Sequence, residues 1–246
     1  MKKFGKYIFE TTAIFIGILL SFSVERCTRE NQEIEETKKS VLTLVKEINN
    51  NILYCENHLS QLENMKKINL IITENISENL KKEKLIELHD KYPFGHSYDI
   101  NGNLIYWNSK ENYDNIYQWM ITWWNTFVLE DIYFRSLVNS GNLVLIDDYD
   151  VSREIEAVYT TRKERVVINL KLLKENSDKI RTWAEEKRNN SDEMISREYI
   201  YNNLQDLRLK NLLSDRNYHI GLRVMSMENY IKSLKNLRSL IDSKYK

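Results

Sequence analysis

From Val41 onward the apolar residues fall into step. Val41, Val45, Ile48, Ile52, Cys55, Leu59 and Leu62 are separated by four and three residues in alternation, the heptad spacing that lays one apolar stripe along a helix and lets two helices interlock. The same spacing returns near the C-terminus in Ile220, Val224, Met227, Ile231, Leu234 and Ile241, with Leu237 and Leu240 widening the stripe. Together the two stripes predict antiparallel partners in one bundle; a parallel homodimer through 41–62 would satisfy the first stripe equally well. Between them, Val151, Ile155, Val158, Val166, Leu170, Leu173 and Ile180 share one side of a helix predicted from about Tyr149 to Arg188.

Breakers are scarce, with one Pro and six Gly in the chain, which favours long helices with few tight turns. Those present are placed informatively. A softer stretch near Asn75–Asn79 divides the first long helix, and Tyr92-Pro93 ends it, because the residue before Pro is disfavoured in helical conformation. Ser140-Gly141 is a helix stop, and Asp147, Asp148 and Asp150 are candidate caps for the next helix. Asn101-Gly102 lies between short apolar flanks, the pattern of a small β-hairpin near 97–107. The expected fold is all-α, with helices near 41–88, 113–139, 149–188, 192–214 and 216–243.

The N-terminal run changes the picture. Tyr7–Val24, YIFETTAIFIGILLSFSV, is the one stretch apolar and long enough to cross a bilayer. As a helix it reaches roughly 27 Å, close to the ~30 Å hydrocarbon thickness. Lys2, Lys3 and Lys6 before it also suit a secretory signal, but no small-residue cleavage site follows Val24. The expected organisation is therefore an N-terminal membrane anchor at 1–24, a polar helical stalk at 25–40 and a helical bundle at 41–246. Three Lys before the span against Arg26 and Arg29 after it place the N-terminus in the cytoplasm and the C-terminal domain in the periplasm of a bacterial inner membrane. Glu10 sits at headgroup depth beside Lys6 or, with Thr11, Thr12 and Gly17, faces a partner helix, so that Glu10, Thr11 and Gly17 are the candidate membrane or oligomer contacts.

Residues 92–134 hold nearly half of the chain's aromatics, including Trp107, Trp119, Trp123 and Trp124. From Ile116 to Leu129 apolar residues surround the whole helical circumference. That pattern suits a helix buried on several sides, one lying at a membrane interface, or an aromatic groove for a ligand or partner.

Charge and candidate chemistry narrow the function further. Lys plus Arg equals Asp plus Glu at 36 each, so no global field steers the chain to nucleic acid. The basic residues Arg162, Lys163, Arg165, Lys171 and Lys174 are interleaved with Glu154, Glu156, Glu164 and Glu175, the pattern of a solvated face. Cys55 with His58, and His89, Asp90 and His96 around Pro93, are acceptable zinc ligand types, but neither set has a known metal spacing. There is no phosphate loop, no Gly-x-Ser-x-Gly and no His-Glu-x-x-His. No catalytic residue, cofactor or metal is assigned, and the residues do not read as an enzyme.

The chain resembles an uncharacterised bacterial family, a domain of unknown function. Its members open with a basic Lys-Tyr start, carry a single span and run into a long helix. The resemblance is carried by Lys6-Tyr7, Glu10 and Ile16-Gly17-Ile18-Leu19, and by Leu137, Ser140-Gly141-Asn142-Leu143, Leu145-Ile146-Asp147, Ile155 and Tyr159. It implies a single-pass anchored helical protein and no particular activity. The reading that follows is a membrane-anchored, non-catalytic scaffold or interaction protein that associates with itself or with a partner protein. The alternative is a membrane effector or sensor that binds a ligand through 92–134 and drives assembly or permeabilisation of the membrane.

Overall fold

Nothing between Gly17 and Asn75 interrupts helix propensity, and in the computed structural model one helix, α1, runs from Lys2 to Glu74, about 110 Å of axis. The structure describes residues 2–95, 97–98, 104–105, 116–124, 126–190, 200–201 and 206–245, with side chains described from residue 14 onward except in the two short strands. Through the polar stalk α1 is supported by Arg26–Glu30 at 2.8 Å and Arg29–Glu33 at 3.4 Å, both one turn apart. It enters the bundle at Thr37, which is buried. The chain breaks at Asn75, whose backbone is extended, and continues in α2 (Ile76–Asn79) and α3 (Lys82–Lys91) before Pro93.

The C-terminal helix, α8 (Leu207–Tyr245), lies antiparallel on α1: Lys235 meets Glu56 at 2.6 Å, and Asn69 reaches Asn217 at 2.7 Å and the Leu213 carbonyl at 2.9 Å. The pairing expected from the two apolar stripes is the one observed. Val41, Val45, Ile48, Ile52 and Leu62 are buried and Leu59 is half-buried against the same core, facing Ile220, Leu234 and Ile241. The opposite side of α8 is covered by α6 (Tyr149–Ala157), a π-helical turn (Val158–Arg162) and α7 (Lys163–Asn189), which together form one rod. Asp148 caps this rod by accepting from the Asp150 and Val151 amides at 3.0 and 3.1 Å, and the Lys244 ammonium holds the same carboxylate at 2.8 Å. Within the π turn, Thr160 and Thr161 donate to the carbonyls of Glu156 and Ala157, the local competition that loosens a helical ladder.

Two expectations need correction. The helix predicted over 113–139 includes two short helices, α4 (Ile116–Thr122) and α5 (Ile132–Asn139), and the described residues between them, 123–124 and 126–131, are non-helical. The aromatic and β-branched residues of this stretch are weak helix formers, and its backbone is hydrogen-bonded by α1 side chains instead of by itself. The boundary expected between 214 and 216 does not exist, because Arg216 lies inside α8, fully buried, with its polar atoms bonded within the bundle.

α5 ends where Gly141 takes φ +76°, with the Leu143 amide returning to the Leu137 carbonyl at 3.1 Å. Ser97–Tyr98 and Leu104–Ile105 pair antiparallel over two residues each; the Asn101-Gly102 turn and Trp107 lie outside the described residues.

Candidate functional site

Beside its apolar seam α1 carries a second stripe at the same spacing, made of hydrogen-bonding residues: Glu47, Asn51, Tyr54, His58 and Gln61. Their partners are backbone groups of Gly95, of the non-helical segment before α5 and of the first turn of α5. Glu47 accepts from the Tyr133 and Phe134 amides at 2.6 and 3.4 Å, capping α5 from outside. Asn51 both donates to the Glu130 carbonyl at 2.8 Å and accepts from the Glu130 amide at 2.9 Å. The Tyr54 hydroxyl receives the Val128 amide at 3.0 Å, and His58 Nε2 lies 2.8 Å from the Thr126 carbonyl. Gln61 accepts from the Gly95 amide at 2.8 Å, and Asn64 donates to the Pro93 carbonyl at 2.8 Å. A chain without helical or sheet partners is thus paired group by group.

The aromatic residues close over this scaffold. Trp119 stacks on Phe94 at 4.6 Å with rings 4° apart, and His89 meets the two edge-on. Gly95, at φ +77°, lies under the Trp119 ring, where a Cβ would come within 2.4 Å of Cζ2. Trp123 packs against Trp119 at 5.6 Å, and Lys174 sits 5.7 Å over the Trp124 ring. Trp119, Trp123 and Trp124 are therefore half-buried, packed against the core rather than arrayed on a free surface.

The candidate chemistry is occupied in the same way. Burial pushes the Cys55 thiol up to about 12, so it stays protonated and unreactive. His58 is engaged with the Thr126 carbonyl, and His89 Nε2 with the Phe94 carbonyl at 3.1 Å. His96 lies outside the described residues, and among those described no cluster of metal-ligating side chains occurs.

Burial also holds His89 below its ordinary value, outweighing the bond to Phe94 and the nearby Asp90. As pH falls below about 6.5, the unfolded chain takes up a proton that the folded His89 resists, so stability is complete above that pH and declines beneath it. Urea midpoints at pH 7.5 and 5.5 are expected to differ, and His89→Gln, which keeps a donor without titrating, is expected to shrink the difference. The remaining slope belongs partly to His219, which burial shifts the same way.

Outside the bundle the surface is different. From residue 14 to 36 every side chain of α1 is exposed, and Ile14, Phe15, Ile18, Leu20, Phe22 and Val24 each retain between 49% and 65% of their surface. Successive helical residues are about 100° apart, so these side chains cover the whole circumference. A Cβ added at Gly17 would meet nothing within 4 Å. The side chains of Glu10 and Thr11 lie outside the described residues, as do those of 7–13 in the predicted span. Among the described residues no helix is long and apolar enough to cross a membrane.

The second stripe of α1 was missed as a signal because Glu, Asn, Tyr, His and Gln read as solvent-facing one at a time; only their shared spacing with the apolar seam marks them as inward. Comparisons of the chain with protein-family models, curated proteins and solved structures return no match.

Proposed function

We propose that this is a membrane-anchored, non-catalytic helical interaction protein, with residues 1–24 in a bacterial inner membrane and the bundle held on the periplasmic side by the stalk. The observation that carries the reading is the apolar rod: Ile14 to Val24 are exposed all round, on a helix continuous with the bundle core. An isolated helix with apolar side chains on every side is stable only when something covers it, and lipid covers all sides at once. The resemblance of Lys6-Tyr7, Glu10 and Ile16–Leu19 to anchored bacterial proteins points the same way. Self-association through Glu10, Thr11 and Gly17 within the membrane is part of the proposal, since small and hydroxylated residues permit close approach of two helices. The described rings of the aromatic region 92–134 do not favour a ligand site there, because Trp119 and Trp123 are packed on one another and on Phe94.

Full-length protein is expected to sediment with membranes, to resist alkaline carbonate and to dissolve only in detergent. Paired Ile18→Lys and Leu19→Lys substitutions should move it to the soluble fraction, and a reporter fused after Lys246 should be active only outside the cytoplasm. Recovery of the unaltered chain in the soluble fraction overturns the anchor. A monomer in detergent, with no crosslinked species in membranes, overturns the self-association.

A further inference from the structure

Along the basic run that opens α7, most charges are matched. Arg162 forks onto Glu154, Lys163 lies 3.6 Å from Asp131, Lys171 3.9 Å from Glu164 and Lys174 2.7 Å from Asp178. Arg165 is in no ion pair among the described residues, and neither is Lys232, which faces it from α8. The solvated face read from the sequence therefore has a specific gap in its pairing.

That gap is a groove. Arg165 and Lys232 line a depression of about 640 Å³ between the α6–α7 rod and α8, beginning at the π turn that carries Arg162. Short polar residues, among them Ser226, Asn229 and Ser233, keep the α8 wall low, and Asn169 reaches across to the Leu222 carbonyl at 3.5 Å. The lining holds three cations against the single carboxylate of Glu154, in a chain whose formal net charge is zero. Ile168 and Met225 add an apolar ledge, being 48% and 52% exposed. The volume lies in the range of small-molecule sites, and a π turn within an α-helix is a frequent marker of function.

We propose that this groove binds a small phosphorylated anion carrying at least two negative charges. Arg165 and Lys232 supply the principal charge contacts, and the Asn169 and Asn229 amides supply neutral donors. The Arg165 guanidinium fork and the amide donors together match the several oxygens of a phosphate better than a lone ammonium would. The ligand is soluble rather than a lipid headgroup. The groove is level with Glu56, to which Lys235 is paired, and the helix from Val24 to Glu56 is roughly 50 Å long; this last step rests on the anchoring proposed above, whereas the groove itself does not.

Calorimetric titration of the purified full-length chain in non-ionic detergent, with pyrophosphate and separately with ATP, tests the proposal. Saturable binding that weakens as salt is raised is expected. The double variant Arg165→Ala, Lys232→Ala, two exposed positions whose effect on folding is checked by thermal melting, is expected to lose about tenfold or more in affinity. Glu154→Gln, which releases Arg162, is expected to bind more tightly. No saturable binding of either phosphate compound, or unchanged affinity in the double variant, overturns the site. Tighter binding of malate than of pyrophosphate overturns the phosphate assignment. Displacement of pyrophosphate by lower concentrations of dihexanoylphosphatidylglycerol overturns the soluble source. Each of these readouts is independent of whether the protein sediments with membranes.

Discussion

Replacing Asn51 by leucine is expected to cost the folded protein about 2–4 kcal/mol. The substitution keeps the volume of the side chain and removes both of its bonds to Glu130, leaving an amide and a carbonyl without their partner. A typical net hydrogen bond contributes about 1 kcal/mol and a partner left unmade costs about 1–3 kcal/mol; both Asn51 bonds are part-buried, so the loss of the two-way pair exceeds the loss of a single exposed contact. Asn50→Ala is the internal control: Asn50 is exposed and makes one bond, to the Glu130 carboxylate at 3.0 Å, and its removal should fall within about 0.5 kcal/mol. Urea denaturation of the four proteins, wild type, each single variant and the pair, reads both effects. Hydrogen exchange at the Val128, Glu130 and Tyr133 amides should rise in Asn51→Leu well before exchange along α8. Equal destabilisation by the two single variants would mean that the segment is held by its apolar side chains, Phe127 and Leu129, and not by the stripe on α1.

Trp183→Ala is expected to be the more damaging change, at about 3–5 kcal/mol. Trp183 is completely buried on α7, its indole N–H donates to Asp206 at 3.1 Å, and its ring lies 5.8 Å from Tyr201, which in turn stacks on Tyr117 at 5.2 Å. Asp206 also accepts from the Arg208 and Leu209 amides at the start of α8 and pairs with Lys187 at 2.7 Å. The residue thus fills volume and helps fix the start of α8. Trp183→Phe keeps a ring and drops the donor, so it should cost less than half as much. If the two variants were equally unstable, the bond to Asp206 would dominate over the packing.

The parts of the fold written in one-dimensional spacing were legible. The seam from Val41 to Leu62 and its counterpart from Ile220 to Ile241 mark two helices each buried on one side, because such a helix must repeat its apolar residues every three to four positions; that they pair with each other, and not Val41–Leu62 with a second copy, is decided only in the folded chain. The stops near Asn75, at Pro93 and at Gly141 were legible for a local reason, since each depends on the backbone preference of one residue, and the cap was legible as one of Asp147, Asp148 and Asp150, of which the structure uses Asp148. The segment after Thr122 was not. IYQWMITWWNTFVL is apolar all round, and whether it continues as a helix is decided by Asn51, Tyr54 and His58, some seventy residues away in the chain. Arg216 misled in the same way. A Ser-Asp-Arg run looks like a surface boundary until the guanidinium is seen bonded to Ser177 at 2.8 Å and to the Trp123 carbonyl. The groove at Arg165 and Lys232 was invisible for a third reason: an unpaired charge is a property of what stands opposite it, and α8 stands opposite only in the folded chain.

α1 contains no glycine and no proline between Gly17 and Glu74, and no π turn loosens it. The rod outside the bundle and the seam inside it are the same torsionally stiff shaft. No break in the helix separates the exposed rod from the bundle, so no loop or hinge residue lies between Val24 and Ile48. A rotation or tilt at Val24 is delivered to Ile48, and a partner that turns the bundle turns the N-terminal residues with it.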